Sequence, residues 1–556
     1  MLRNFETHKI REEVVLNGIW DFYKINEEKE VEKQYKLPVP SCWEQHPDLL
    51  SYRGRGEYRK KIILNEDIPV LKINFKGVSH TAKVYFDNEF VKYHYNAYTP
   101  FDALISNVKK GEHEIIVQVD NRFTEESSLH IPNDYYSYGG LTRGVAYSSL
   151  PSIFLEQVHF EPLYEQGQWK SRASIYIYNT SSDERTIDLR TLINSQEEII
   201  EAIKVPANDR KIITLQQEHL QIEKWQPENP KLYFFEVQLI EESKIIDDKI
   251  ERVGFRTIEM QNNRILLNGE PIFLKGFNRH EDYADFGCAI PFQLMVKDLE
   301  MMQDMGANAV RTCHYPNDEL FLDLCDERGI LVWEENHARG LGLTEMLNPH
   351  FDKQMSDCNE EMVMNHYNHP SIIIWGILNE CASETPEGRL IYQKQFDQIN
   401  AMDRSRLTTF ATCRHFTDIC LDLPDIVSFN MYTGWYQDLP VIERHNDEMD
   451  WIESAGGQGK PIIVSEFGAG AIYGYRDRHA AKWSEERQMT IIKDNFEVYL
   501  NDDRLSGVFI WQFADCRITE ENNWFAVRPR SYNNKGIVDE YRRPKMAYDL
   551  VKQYFK

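Results

Sequence analysis

Apolar and polar residues alternate over short runs in the first half of the chain. Such alternation is typical of half-buried β-strands, and turn residues such as Lys76 and Gly77 separate the runs. Over residues 1–160 the pattern predicts an antiparallel β-sandwich of the jelly-roll kind. A second, shorter series of strands predicts a smaller β-sandwich over residues 161–257.

The pattern changes after Arg256, where short apolar runs begin to alternate with amphipathic, helix-like segments. This alternation is typical of βα units. About eight strands fit into residues 258–556, which are of the length expected for a (β/α)₈ barrel. In such a barrel the functional residues stand at the C-terminal ends of the strands.

Two of these apolar runs end on a glutamate. SIIIWGILNE runs without interruption to Asn379 and Glu380, and PIIVS is followed by Glu466. Either polar pair could simply cap the next element. On the fourth and seventh strands of a barrel, however, the two glutamates would face each other across its mouth. Two facing carboxylates are what glycosidic bond cleavage requires, one protonated and one ionised.

Other polar and aromatic residues are expected at the same strand ends. His280 and His314 could be metal ligands, but no third ligand stands at metal-site spacing, so hydrogen bonding to a sugar or to carboxylates is expected. Trp511 is either a core residue or a stacking platform for a sugar ring. We therefore expect no metal and no cofactor. The candidates at the remaining strand ends are Asn430 and Tyr432.

Charge and composition narrow the classes of partner. The 556 residues have a net charge of −26, which disfavours nucleic acid and anionic membranes as partners. The amino-terminal segment has no apolar signal region, and no apolar run reaches the length of a membrane span. The nine cysteines lack paired metal spacing. These features predict a cytoplasmic protein with reduced cysteines.

Four segments together resemble glycoside hydrolase family 2 over essentially the whole chain: GFNRHED, GANAVRTCHYP, HPSIIIWGILNE and VSEFG. The resemblance implies a sugar-binding sandwich, an immunoglobulin-like sandwich and a catalytic barrel, in that order. It also implies a retaining mechanism with Glu380 as acid/base and Glu466 as nucleophile. Asn379 would then hydrogen-bond the sugar 2-hydroxyl.

Three further segments resemble the β-glucuronidases of that family. NMYTGWY contains Tyr432 and Tyr436, which match tyrosines of the glucuronidase pocket. NDYYSYGG contains Asp134, which matches an aspartate that reaches over the barrel from the first sandwich. In NNKG, Asn533 and Lys535 match the pair that grips the glucuronate carboxylate. The expected reaction is hydrolysis of β-D-glucuronides, with a β-galactosidase or β-galacturonidase as the alternative.

A sugar carboxylate needs a fixed cation and a hydrogen-bond donor, since its desolvation is otherwise uncompensated. RPRSYNNK supplies Arg528, Arg530 and Lys535 within a few residues of a very acidic chain. An ordinary basic loop is the alternative interpretation. Which arginine assists Lys535 is left open.

The shape of the site mouth and the assembly are also predicted. The segment HARGLGLTEMLNPHFDKQ after the third strand is short, which favours an open mouth. Uronic-acid oligosaccharides therefore join small glucuronides as expected substrates, and a homo-oligomer (dimer or tetramer) is expected. NDYYSYGGLTRG, from Asn133 to Gly144, is expected to be a mobile aromatic loop that contacts sugar.

Overall fold

Two β-sandwiches precede a closed barrel in the computed structural model, which describes residues 2–28, 30–521 and 527–556. The first sandwich packs a four-stranded sheet on a six-stranded one, and Trp20, Phe22 and Phe75 lie in the core between them. The strands, in spatial order, are Glu12–Val15, Val145–Leu150, Ile68–Phe75 and Phe101–Val108 in one sheet, and Val31–Val39, Gly18–Ile25, Arg55–Leu64, Gly111–Asp120, Thr81–Phe86 and Glu89–Tyr95 in the other.

The second sandwich is built from a three-stranded and a four-stranded sheet. Its first strand, Ile153–Glu165, pairs along its length with Gln168–Asn179. The domain boundary expected between residues 160 and 161 therefore falls inside a strand, and the second sandwich begins near residue 153. The spatial order is Ile153–Glu165, Gln168–Asn179 and Asp209–His219 in one sheet, and Gln196–Val205, Arg185–Ile193, Tyr233–Glu241 and Lys244–Val253 in the other.

Eight parallel strands close into the barrel in sequence order, each hydrogen-bonded to the next and the eighth to the first. Every residue of the fourth strand is buried, as parallel strands in a barrel require. A three-stranded sheet over residues 258–272 packs Ile265 and Leu267 against the barrel core. The barrel strands are β1 (Leu274–Asn278), β2 (Ala309–Thr312), β3 (Leu331–Glu335), β4 (Ile372–Gly376), β5 (Leu407–Thr412), β6 (Ile426–Asn430), β7 (Ile462–Phe467) and β8 (Leu505–Ile510).

Three of the described α-helices begin at a side chain that accepts a hydrogen bond from a free backbone amide of the first turn. Asp318 accepts a hydrogen bond from the amide of Leu320, and Ser484 accepts one from the amide of Arg487. The sequence predicted helices between all the later strands, but the segment between β5 and β6 contains none. The helices are α1 (Phe292–Asp304), α2 (Glu319–Arg328), α3 (Leu343–Met346), α4 (Phe351–His366), α5 (Pro386–Met402), α6 (Val441–Ile452), α7 (Glu485–Tyr499) and α8 (Ala547–Phe555).

The segment from Asn133 to Gly144 is buried between the first sandwich and the barrel, and is not the mobile loop that the sequence predicted. The Tyr138 hydroxyl donates to Asp282 (2.9 Å), and Arg143 donates to Glu281 (2.7 Å). Tyr135 and Tyr138 can bury their rings because their hydroxyls reach His337 and Asp282. The segment therefore fixes the first sandwich to the barrel.

The cysteines are all free, as predicted, and most of them are buried. None of the α-helices in the described part of the chain has the length and apolar character needed to cross a membrane.

Candidate active site

A cavity of about 320 Å³ opens where the barrel strands end. Its wall combines both predicted glutamates with cationic, amide and aromatic side chains. The lining residues are Asp134, Arg339, Glu380, Cys413, His415, Asn430, Tyr432, Tyr436, Gln437, Glu466, Trp511, Arg528 and Lys535.

Glu380 reaches the cavity because the backbone turns sharply after β4. Leu378 and Glu380 both adopt positive φ (46° and 54°), a conformation unusual for residues other than glycine. The turn is held by the amide of Glu380, which donates to the carbonyl of Ala411 (2.9 Å). Strain of this kind persists where the surrounding structure enforces it, and it occurs most often at functional sites. Here it presents the carboxylate to the cavity.

Glu466 lies within β7, and its two carboxylate oxygens have different partners. Arg311 donates to Oε1 (2.8 Å), and the Tyr432 hydroxyl donates to Oε2 (2.6 Å). Burial raises the pKa of Glu466 to about 7, although Arg311 and Tyr432 lower it; the charge of Glu380 raises it further. Gly468, two residues on, has to be a glycine, because a Cβ there would lie 2.5 Å from the carbonyl oxygen of Trp511.

Arg311, on β2, connects the charged groups beneath the cavity. It is fully buried, and its guanidinium forms a two-point contact with Glu335 (2.8 and 3.1 Å) in addition to its bond to Glu466. It also donates to the side-chain oxygens of Asn278 (2.9 Å) and Asn379 (2.7 Å). A buried guanidinium is tolerable only when it is paired in this way. Arg311 therefore fixes both Glu466 and Asn379.

The two asparagines beside the glutamates are oriented by these contacts. Asn430 donates to Glu380 Oε1 (2.9 Å), and its own oxygen accepts from Ser465 (2.8 Å). The oxygen of Asn379 is taken by Arg311, whereas its buried amide nitrogen has no partner in the described part of the chain. This nitrogen is therefore available to donate to a sugar hydroxyl. Such a bond would remove the free-energy cost of leaving a buried donor unpaired.

Trp511, after β8, packs against two histidines. The His314 ring stacks on it (centroids 5.1 Å apart), and the His280 ring meets it edge-on (5.4 Å). His314 bonds Glu335 through Nδ1 (2.6 Å), and His280 bonds the Tyr315 hydroxyl through Nδ1 (3.1 Å). Burial holds the pKa of both histidines well below the usual value, which favours neutral rings.

The opposite wall contains a cluster of basic and phenolic groups. Lys535 donates to the hydroxyl of Tyr436 (2.9 Å), and Arg528 donates to the same hydroxyl (3.2 Å). Arg528 also forms a two-point contact with Asp134 (2.9 and 2.5 Å), which comes from the first sandwich. Asn533 donates to Asp134 as well (3.0 Å). We call Asp134, Tyr436, Arg528, Asn533 and Lys535 the cationic wall.

Family models for three successive domains of the glycosyl hydrolases family 2 match this chain. They are described as the sugar binding domain (residues 10–151), the family 2 domain itself (153–256) and the TIM barrel domain (258–556). The chain belongs to glycosyl hydrolase family 2. It is a glycoside hydrolase, and its two sandwiches and barrel are that family's architecture.

Individual relatives of this family 2 hydrolase differ in their named substrates. The β-glucuronidase of Rattus norvegicus is 27% identical, over 98% of this chain and 91% of its own length. A β-galacturonidase from Eisenbergiella tayi, solved with galacturonate bound, is 46% identical, covers 100% of this chain and 99% of its own, and superposes with a TM-score of 0.97. A relative from Formosa agariphila, named a putative β-glucuronidase, is 27% identical over 91% of this chain. That match covers 64% of the relative's own length.

Most of the residues expected at the hydrolase's site line the cavity or touch a residue that does. The exception is Arg530, which pairs with Glu540 (2.7 Å) and lies against a separate surface depression beside Tyr532. Arg530 adopts a left-handed conformation (φ 63°) that turns it away from Arg528. Of the two arginines between which the sequence left the choice open, Arg528 lines the cavity and Arg530 does not.

Asn533 and the two histidines have less direct positions than the sequence suggested. None of the three is among the cavity-lining residues. Asn533 donates a hydrogen bond to Asp134, and the rings of His280 and His314 pack against Trp511. The Nε2 atoms of both histidines are buried and lack hydrogen-bond partners in the described part of the chain, although that of His314 lies 4.0 Å from Glu466 Oε1.

Cys313 stands beside the two histidines as a possible third ligand, which the spacing in the sequence did not indicate. Its thiol and the histidines at 280 and 314 offer ligand atoms within 4.8 Å of one another. Burial raises the pKa of the Cys313 thiol, which disfavours the thiolate that a metal ion requires.

Two functional arginines were not predicted from the sequence. Arg311 sits in the quoted motif GANAVRTCHYP, and an arginine inside a buried strand could have signalled a paired internal charge. Arg339 follows β3; it donates to Asn133 (2.7 Å), and its guanidinium lies 3.4 Å from a carboxylate oxygen of Glu380. No sequence pattern distinguishes Arg339 from any other loop arginine.

Proposed function

We propose that this family 2 hydrolase removes β-linked uronic acids from their glycosides with retention of configuration, and that β-galacturonides are its preferred substrates. The observation that supports a uronic acid is the state of Lys535. Its side chain is buried, yet its ammonium forms no salt bridge with any carboxylate in the described residues.

A buried ammonium without a carboxylate partner favours an anionic ligand. Burial and the neighbouring Arg528 lower the pKa of Lys535, because the site already holds another positive charge. The carboxylate on C5 of a uronic acid would neutralise this excess and accept a charge-assisted hydrogen bond. A neutral hexose would leave Lys535 uncompensated, so the same wall discriminates against galactosides and glucosides.

The two glutamates then divide the chemistry of the retaining mechanism. Glu466 attacks the anomeric carbon, forming a glycosyl ester, while protonated Glu380 donates its proton to the leaving oxygen. In the second step Glu380 accepts a proton from water, which attacks the same carbon and releases Glu466. The free amide nitrogen of Asn379 is suited to hold the sugar 2-hydroxyl, a contact that strengthens as positive charge develops.

The preference for galacturonides over glucuronides rests on likeness across the whole chain. The relative bound to galacturonate is 46% identical to this protein, whereas the rat β-glucuronidase is 27% identical. β-Glucuronides are the second candidate, supported by that relative and by the asparagine–lysine pair at 533 and 535. The two sugars differ only in the configuration of C4, so one binding wall can serve both.

A panel of p-nitrophenyl β-glycosides tests the proposal. We expect kcat/KM to be highest on the galacturonide, lower on the glucuronide, and lower again by at least about 10²-fold on the galactoside and glucoside, since a stranded charge costs several kcal/mol. A Glu466→Ala variant serves as the blank. Equal rates on the galacturonide and the galactoside would refute the uronide assignment, and faster cleavage of the glucuronide would select the second candidate.

Stereochemistry tests the mechanism separately. Proton NMR of the product formed in the first minutes should show the β-anomer, as double displacement requires. The α-anomer as first product would refute the roles of the two glutamates, whatever the preferred sugar.

A further inference from the structure

A groove of about 740 Å³ lies on the first sandwich, lined entirely by residues 25–126 and sharing none with the catalytic cavity. Its floor is the outer face of the six-stranded sheet, and its volume is more than twice the 320 Å³ of the catalytic cavity. The mechanism described above uses no side chain of this groove.

One row of side chains crosses five strands of the groove sheet at a single register. Tyr23 is opposite Glu57, Glu57 is opposite Gln118, Gln118 is opposite Lys83, and Lys83 is opposite Tyr93. Side chains at matching positions of neighbouring strands point to the same face. With strands about 4.8 Å apart, the row is about 19 Å long. The row thus has a tyrosine at each end and polar groups between them, and its members from Glu57 to Tyr93 line the groove.

The polar groups of the groove are held in place by one another. Gln118 donates to Glu57 (3.0 Å), and Arg59 from the adjacent row also donates to Glu57 (2.8 Å). The Tyr85 hydroxyl donates to the oxygen of Gln118 (3.4 Å). These contacts fix flat amide and carboxylate groups before any ligand arrives, which lowers the entropy cost of binding.

Exposed aromatic rings stand beside these polar groups. Tyr93 is 47% exposed, and Tyr85 is half-buried in the groove lining. A tyrosine offers an apolar face together with a polar edge. Sugar rings have a matching surface, with C–H groups on their faces and hydroxyl groups around their rim. Aromatic faces beside fixed, flat polar groups therefore fit a carbohydrate.

The charge of the groove indicates which carbohydrate. The cationic lining residues Arg55 and Arg122 are both within ion-pair distance of Asp120. The lining as a whole contains four acidic residues and three basic ones: Glu57, Asp120, Glu125 and Glu126, against Arg55, Lys83 and Arg122. An anionic chain would gain no net attraction there, in contrast to the cationic wall of the catalytic cavity.

We propose that this groove is a second carbohydrate-binding site, specific for a neutral oligosaccharide chain. Its wall is physically connected to the barrel: Asn348 and Gln354 donate to the carbonyls of Glu125 (2.9 Å) and Glu126 (2.6 Å). The same backbone continues to Asp134 at the catalytic cavity. A neutral chain in the groove is thus held on the domain that also forms part of the catalytic site.

Affinity electrophoresis of the full chain tests the site without reference to turnover. The native gels contain hydroxyethyl cellulose, galactan, arabinoxylan or galactomannan, with polygalacturonate as the anionic comparison. We expect retardation in at least one neutral gel. Tyr93→Ala and Gln118→Ala should each weaken that binding about tenfold or more, as befits loss of one aromatic or polar contact. Tyr164→Ala, at a tyrosine 53% exposed on the second sandwich, is the matched control and should bind like the unaltered protein.

Thermal melting of the three variants, expected within a degree or two of the unaltered protein, checks their folding. Lack of retardation in all four neutral gels would overturn the proposal. So would retardation that survives both groove substitutions. Stronger retardation by polygalacturonate than by every neutral polymer would also overturn it if the groove substitutions abolish that retardation, which separates the groove from uronide binding at the cationic wall. Hydrolysis of uronides is not needed for any of these outcomes, so the groove and the proposed reaction can fail independently.

Discussion

The ammonium nitrogen of Lys535 lies 2.9 Å from the phenol oxygen of Tyr436, and among the described residues this neutral hydroxyl is the group to which it donates a hydrogen bond. Burial raises the pKa of Tyr436, but the positive charges of Lys535 and Arg528 lower it by more, so the net shift is downward. This part of the cationic wall therefore stabilises negative charge. A substrate carboxylate would occupy the position that the phenol now satisfies in part.

Replacing Lys535 by alanine should therefore remove activity selectively. Loss of one partner of a buried ion pair costs on the order of 3–5 kcal/mol, so kcat/KM on a galacturonide or glucuronide should fall by roughly 10²–10³-fold or more. Turnover of the matching neutral glycoside, which lacks the carboxylate, should change little. Steady-state kinetics on the paired substrates measures this difference. An equal loss on both would mean that Lys535 only supports its loop.

The two nearby arginines provide a matched comparison. Arg528→Ala removes the partner of Asp134 and should lower uronide turnover strongly, because a buried carboxylate is left unpaired. Arg530→Ala removes an ion pair with Glu540 and should leave kcat/KM within about twofold, because neither residue lines the catalytic cavity. A large effect of Arg530→Ala on uronides alone would instead favour Arg530 as the arginine that assists Lys535.

The glutamate variants should differ in their dependence on the leaving group. Glu466→Ala should abolish turnover of every substrate, because no glycosyl-enzyme can form. Glu380→Ala should harm alkyl glycosides far more than nitrophenyl glycosides, since an activated phenolate departs without a proton. Comparing kcat/KM across leaving groups of graded acidity measures this. If Glu380→Ala lowered kcat/KM by the same factor on all substrates, Glu380 could not be the general acid.

The pH profile should reflect the environment of Glu466. This carboxyl must be ionised to attack, and burial raises its pKa from 4.5 to about 7. The acidic limb of kcat/KM should therefore lie near pH 7, with activity falling about tenfold per pH unit below it. Tyr432→Phe removes a hydrogen bond that lowers this pKa, so it should move the limb to higher pH. A limb near the ordinary glutamate value would contradict the assignment.

Arg311→Met should lower the free energy of unfolding and raise the pKa of the nucleophile Glu466. It leaves Glu335 and Glu466 buried without their cation, a loss that costs about 3–5 kcal/mol. Urea denaturation should show a clearly lower midpoint, and the acidic limb of kcat/KM should shift upward. Arg476→Met breaks an exposed ion pair with Glu486 and is the control, expected to leave both readouts nearly unchanged.

Some of the site could be predicted because its residues interrupt a strong pattern. Glu380 and Glu466 follow long apolar runs, and the C-terminal ends of parallel barrel strands meet at one opening. Lys535 stood out as a basic residue in an acidic chain. In each case a local departure from an apolar or acidic background marked the position. The three-domain order was similarly accessible from strand and helix periodicity.

Other features depend on contacts that sequence order does not reveal. Arg528 and Arg530 are two residues apart, and only the left-handed turn at Arg530 sends them to different places. The glycines and tyrosines of the segment from Asn133 to Gly144 predicted a mobile loop, because partners such as Asp282 lie far away in the chain. The domain boundary was expected between residues 160 and 161, which falls inside the strand Ile153–Glu165. That strand begins directly after the previous sandwich ends, so no linker marks the boundary in the sequence.

The pairing of Asp134 with Arg528 joins positions 394 residues apart. During synthesis, the first sandwich can fold long before the ribosome has made its arginine partner. The cationic wall can therefore assemble only after almost the entire chain has emerged. The onset of uronide hydrolysis would therefore report that folding is complete. Proteolytic cleavage that lets the first sandwich separate from the barrel would abolish activity although both glutamates stay intact.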